Sequence, residues 1–165
     1  DPGVQLGQQN VKSCKLCWTL VAVLAIAVVV FAYKFTVGEV KPSTDGRMAV
    51  QLTKDERNAL LLEMRTWLQN TQAILAAANA GDMATVVRVA KASGMAAEAE
   101  TPAALFRKIP VEMKRLGFAT RGLFDEIAVA AEKTKDPQRV LTQLSAAMNN
   151  CIACHATFSF VEAEQ

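Results

Sequence analysis

From Leu16 to Tyr33 the chain runs eighteen residues without a charge, LCWTLVAVLAIAVVVFAY. As a helix rising about 1.5 Å per residue, this run is roughly 27 Å long, close to the hydrocarbon thickness of a bilayer. Lys15 and Lys34 bracket it, and Trp18 and Tyr33 stand near its ends, where amphipathic rings settle at a membrane interface. Residues 16–35 therefore read as a transmembrane helix. A secretory signal peptide is the rival, since the run is little longer than an h-region and Ala25, Ala27 and Ala32 are small enough for a peptidase.

The rest of the chain divides by composition. Residues 1–15 form a polar tail, 36–52 a linker with Gly38, Pro42 and Gly46 and no sustained period, and 53–165 a helical domain. After Phe35, fifteen Lys and Arg balance fifteen Asp and Glu with no basic block, so nucleic acid is not an expected partner.

Helix signals begin at Thr53-Lys54-Asp55-Glu56, the form of a capping box. Leu60, Met64, Trp67/Leu68, Thr71 and Ile74/Leu75 then recur every three or four residues, giving one apolar stripe that Gly81 can end. Asp82 caps a shorter helix stopped by Gly94, and a brief helical piece leads to Pro110. A long helix follows from Val111 to about Lys133, in which Gly117 and Gly122 suggest close backbone packing. Asp136-Pro137 opens the last helix as N-cap and N1 proline, with Val140/Leu141, Leu144, Met148, Cys151/Ile152, His155 and Phe158 on one stripe. Short connections between four helices predict an all-α antiparallel four-helix bundle after the single transmembrane helix.

The last helix carries Cys151-Ile152-Ala153-Cys154-His155. A covalently bound haem needs two thiols spaced for its two vinyl groups and an imidazole for the iron, and C-x-x-C-H supplies all three in five residues. On a helix Cys151 and His155 stack as i and i+4, with Cys154 a step aside, so all three are expected to face the interior. A structural zinc site wants four ligands, and Cys14 and Cys17 lie beyond the apolar run. A thioredoxin-type C-x-x-C wants a βαβ setting that the helical pattern lacks. Cys14 and Cys17 lack a following histidine and read as reduced thiols or a lipidation site.

A helical domain of this kind ending in Cys151-Ile152-Ala153-Cys154-His155 and Phe158 resembles the class II c-type cytochromes, the cytochrome c prime superfamily and its low-spin relatives. The resemblance covers roughly residues 50–161 and leaves out the apolar anchor. It implies one covalent haem c, thioethers at Cys151 and Cys154, and His155 as proximal iron ligand. It also implies that the residue over the other face comes from the first bundle helix. Met64 occupies that part of the stripe, where a thioether would raise the reduction potential. Core filling is the alternative use of Met64, and a methionine, a lysine or an open site all stay available. Met48 is the reserve candidate, provided that the linker folds back. Met83, Met95, Met113 and Met148 read as core or surface.

Arg57 and Arg65 are candidate contacts to haem propionates, with a solvated surface as the alternative. One departure from the gas-binding members is Ser159, four positions after His155, where they commonly carry a basic residue. No carboxylate pair, nucleophile with base or second metal site is legible, so no enzymatic activity is expected. The resemblance implies a haem domain in the periplasm and a single-pass anchor in a bacterial cytoplasmic membrane, its tail on the cytoplasmic side; the flanking charges do not fix that orientation. The expected function is single-electron transfer, with membrane lipid and membrane-bound redox proteins as partners. The alternatives are a five-coordinate haem that binds a small gas such as nitric oxide, and a mainly structural haem subunit.

Overall fold

The computed structural model of the chain describes residues 15–163. Among them are six helices: α1 (Lys15–Val37), α2 (Lys54–Asn79), α3 (Met83–Ala92), α4 (Ala103–Lys108), α5 (Val111–Thr134) and α6 (Pro137–Thr157). Three short strands, β1 (Val40–Pro42), β2 (Met48–Leu52) and β3 (Phe158–Glu162), join into one sheet. The chain divides into two compact units between Lys34 and Phe35.

Helix α1 carries the uncharged run. Its stretch Leu16–Val37 has a mean hydropathy of 2.6, and none of its apolar window is buried by protein. A helix so apolar has a large water-exposed cost unless something apolar covers it, and this one is long and apolar enough to cross a membrane.

Local signals start the helices of the second unit. Thr53 Oγ1 accepts from the Glu56 amide at 3.3 Å, while Glu56 Oε2 accepts from the Thr53 amide at 2.8 Å, which completes the capping box. Glu56 also takes the Lys108 ammonium at 2.7 Å. Burial alone would raise the Glu56 carboxyl, but these donors outweigh it and hold it below its ordinary value. Asp82 accepts from the Thr85 amide at 3.0 Å, and Asp136 from the Gln138 amide at 2.9 Å ahead of Pro137.

Two features depart from the expected pattern. Residues 36–52 are not a plain linker: β1 pairs antiparallel with β2, and β2 pairs in parallel with β3, Met48 opposite Phe158 and Leu52 opposite Glu162. Helix α6 therefore stops at Thr157, and Phe158 is extended at φ −119° and ψ 149° instead of extending the helical stripe. Parallel partners need a long crossover, and here all of α2 to α6 lies between them, so neither short strand announces the other. Gly117 and Gly122 are the second departure, because a Cβ at either would meet nothing within 4 Å. They do not mark close backbone packing. Gly122→Ala is accordingly expected to stabilise the protein by about 0.5–1 kcal/mol in chemical denaturation.

Gly38 is the reverse case. It has φ +71°, and a Cβ there would lie 2.3 Å from the Lys108 carbonyl oxygen. The neighbouring Glu39 amide donates to that same oxygen at 2.8 Å. Gly38→Ala is expected to cost about 1–3 kcal/mol; an unchanged denaturation midpoint would show that this junction yields freely.

The second unit packs as two separate cores. One gathers Ile74, Ala77 and Ala78 of α2, Val86, Val89 and Ala90 of α3, Phe124, Ile127, Ala128 and Ala131 of α5, and Val140 and Leu144 of α6. The other gathers Val50 and Leu52 of β2, Leu60 at the start of α2, Leu105 and Ile109 around α4, Met113 at the start of α5, and Phe158. Helices α2 and α5 thus run from the second core towards the first, and α6 runs back. Between the cores each contributes a stretch outside both buried clusters: Met64 and Trp67, Gly117 and Arg121, and Cys151, with Cys154 packed against the second core.

Candidate functional site

Those intermediate stretches wall a cleft with an accessible volume of about 110 Å³. Interiors normally leave few voids larger than a water molecule, so a largely apolar cleft bordered by a few polar groups is the candidate binding site. Helix α2 presents Leu60, Met64 and Trp67, which the i, i+4, i+7 spacing lines up on one face. Helix α5 presents Met113, Gly117 and Arg121 at steps of four, with Lys114 beside them. Gly117 leaves room in this wall that a side chain would occupy. The last turns of α6 present Cys151, Cys154 and His155, and Phe106 and Ile109 border the cleft from the α4 side.

Cys151 and Cys154 are half-buried free cysteines. Burial pushes both thiols above their ordinary pKa, and for Cys154 the nearness of Cys151 adds to the rise. They are held as thiols, unlike the activated thiolates of a disulfide oxidoreductase. Cys151 Sγ lies 3.6 Å from the Ala147 carbonyl oxygen one turn back. His155 is exposed and lines the same cleft as the two cysteines.

A second groove has an accessible volume of about 210 Å³. It shares Met64, Met113, Cys154 and His155 with the first and adds Arg47, Arg57, Phe158 and Ser159 among its lining. Arg47 donates through Nη1 to the carbonyl oxygens of His155 at 3.2 Å and Phe158 at 3.3 Å, tying the β1–β2 connection to the end of α6. Asp45 fixes that guanidinium through bonds of 2.6 and 2.8 Å, and these hold its carboxyl down at about 2. The Ser159 Oγ is buried with no hydrogen-bond partner among the described residues.

The proposed iron ligands Met64 and His155 thus line the same two openings. Arg57 lines the second groove, whereas Arg65 is exposed on α2 and lines neither, being turned by one residue from Met64. The linker does fold back at Met48, but its side chain is 39% exposed and lines neither opening. Cys17 is disulfide-bonded, so its sulfur is neither the reduced thiol nor the lipidation site expected; Cys14 lies outside the described residues.

Three residues of the site were not singled out by the sequence. Met113 is 8% exposed and brings a second thioether to both openings. Arg121, 3% exposed, pairs with Glu63, donates to the Gly94 carbonyl oxygen at 3.3 Å, and has its guanidinium carbon 5.0 Å from the centre of the Trp67 ring. Lys114, 8% exposed, holds its ammonium 4.0 Å from the Phe35 ring centre and 4.6 Å from that of Phe106. A charged residue on a helix is ordinarily a surface residue, so nothing in the sequence signalled the burial of Arg121 and Lys114.

Among the described residues no three His, Cys, Asp or Glu side chains gather to hold a bare metal ion. One imidazole, one or two thioethers and two thiols on an apolar wall suit instead a metal that brings its own macrocycle, with the thiols as tethers. In that sense the residues present fit haem c. Family models, curated proteins and solved structures offer no match to the chain.

Proposed function

We propose that this chain is a membrane-anchored monohaem c-type cytochrome that passes single electrons. The observation that carries the proposal is the meeting of Cys151, Cys154, His155 and Met64 on the walls of one apolar cleft. In this reading α2, α3, α5 and α6 serve as the four-helix bundle of a class II cytochrome, with the small sheet closing one end.

A haem bound there supplies a reversible one-electron couple at its iron. Cys151 and Cys154 tether it, and their spacing on α6 fixes which side of the cleft it occupies. His155 offers an imidazole nitrogen from the end of the same helix, and Arg47 steadies that end through the His155 carbonyl. Met64 offers a thioether from α2, a soft donor that favours the reduced iron. Trp67, Phe106 and Phe118 give the cleft apolar walls, and such walls limit the reorganisation that accompanies a change of charge. Helix α1 holds the chain at a membrane, taken here as the bacterial cytoplasmic membrane with the haem domain in the periplasm. Such tethering raises the effective concentration next to membrane-bound redox partners.

The test is made on the full chain produced in a host that attaches haem c. After denaturation its mass should exceed that of the polypeptide by one haem, and the colour should survive acid-acetone extraction. A bare polypeptide mass would sink the reading. Spectra of both oxidation states then separate function: a low-spin spectrum supports electron transfer, whereas a high-spin spectrum that responds to carbon monoxide or nitric oxide replaces it with gas binding.

A further inference from the structure

We propose that Lys114 is the charge partner of a carboxylate carried into the cleft, which on the cytochrome reading is a propionate of the haem. Lys114 lines the cleft and is 8% exposed, yet its neighbours are two aromatic faces and the Phe35 carbonyl oxygen at 3.5 Å. The other cations in ion pairs among the described residues each have a carboxylate: Arg121 with Glu63, Lys108 with Glu56, Arg115 with Glu112, Lys91 with Glu132 and Arg47 with Asp45. Lys114 has none among them. Burial accordingly pulls the Lys114 ammonium below its ordinary pKa. Ring faces offset part of the cost of a desolvated cation, but an ammonium removed from water is fully served only by an anion and hydrogen bonds. Arg121 shows the contrast on the same helix: its charge is already spent on Glu63, so it has none to offer a ligand. A carboxylate entering beside Phe106 would give Lys114 the partner that the described residues do not.

The inference rests on the cytochrome reading, and the experiment keeps the two apart. The full chain in detergent, carrying Cys151→Ala and Cys154→Ala so that binding is reversible, is titrated with ferric protoporphyrin and with its dimethyl ester, whose acid groups carry no charge. With Lys114 present the free acid should bind roughly tenfold or more tightly than the ester, the size of a charge-assisted bond. Lys114→Met should reduce that preference to about threefold or less, and Lys114→Arg should keep it. An unchanged preference in Lys114→Met overturns the proposal, as does a preference abolished only by Arg57→Met, which would move the carboxylate to the second groove. If neither porphyrin binds and the unsubstituted chain also lacks covalent haem, the cytochrome reading itself falls. Should the cysteine-free chain fail to fold, melting of the haem-loaded chain decides: Lys114→Met should lower the midpoint with haem attached and leave it unchanged or raised without haem. An equal loss in both forms would make Lys114 purely structural and end the proposal.

Discussion

Met64→Ala is expected to turn a low-spin haem protein into a high-spin one and to lower its reduction potential, with the haem still attached. The expectation follows from where the side chains stand. Met64 and His155 border the same two openings, and the cysteines proposed to tether a haem lie on a different helix from Met64. Removing the thioether would therefore leave the proposed attachment chemistry untouched. The potential should fall by a sizeable part of the roughly 0.8 V over which axial ligands set haem potentials. Met113 supplies the control, since it borders both openings as well and is the more deeply buried of the two. Met113→Leu should keep the low-spin spectrum. If the two variants exchange these outcomes, the sixth ligand comes from α5, and if both leave the spectrum unchanged, neither thioether binds the iron.

Phe124→Ala should have the largest effect on stability. Phe124 is 2% exposed and belongs to the core made by α2, α3, α5 and α6. Its ring also meets Trp67 at 6.4 Å between centres and 53° between planes, so it supports the floor of the cleft from below. Truncation removes the transfer free energy of the ring and leaves a cavity, together about 3–5 kcal/mol. Against a typical total of about 5–15 kcal/mol this is a large share, and the thermal midpoint should drop by roughly 10–15 °C. The measurement is denaturant or thermal unfolding of the haem-loaded chain. A loss below about 1 kcal/mol would show that the cleft and the core beneath it relax together. Trp67 should loosen with Phe124, and Arg121 with Trp67, so a broadened spectrum is expected alongside the lower midpoint.

Much of the helical framework was legible because its causes are local. A capping box, two aspartate N-caps and a proline at N1 each act within three residues, and all four stand where the sequence placed them. The same holds for Cys151-Ile152-Ala153-Cys154-His155, whose spacing is a property of five consecutive residues. The sheet was not legible. β2 and β3 are five residues each and their partners are some 110 positions apart, so no window of sequence contains both halves of the pairing. Phe158 illustrates the limit, since its spacing suits the helical stripe while its pairing with Met48 draws it into a strand.

Read alone, the sequence determined an apolar helix able to cross a membrane, the starts and stops of the main helices, and a C-x-x-C-H motif on the last of them. Each depends on hydrophobic pattern, backbone capping or covalent spacing, which are short-range. Only the tertiary structure decided that two cores form with a cleft between them, that Met113 joins Met64 at that cleft, and that Arg121 finds Glu63 while Lys114 finds no carboxylate among the described residues. Burial and charge pairing are properties of what a side chain meets across the fold, and no neighbour in sequence supplies them.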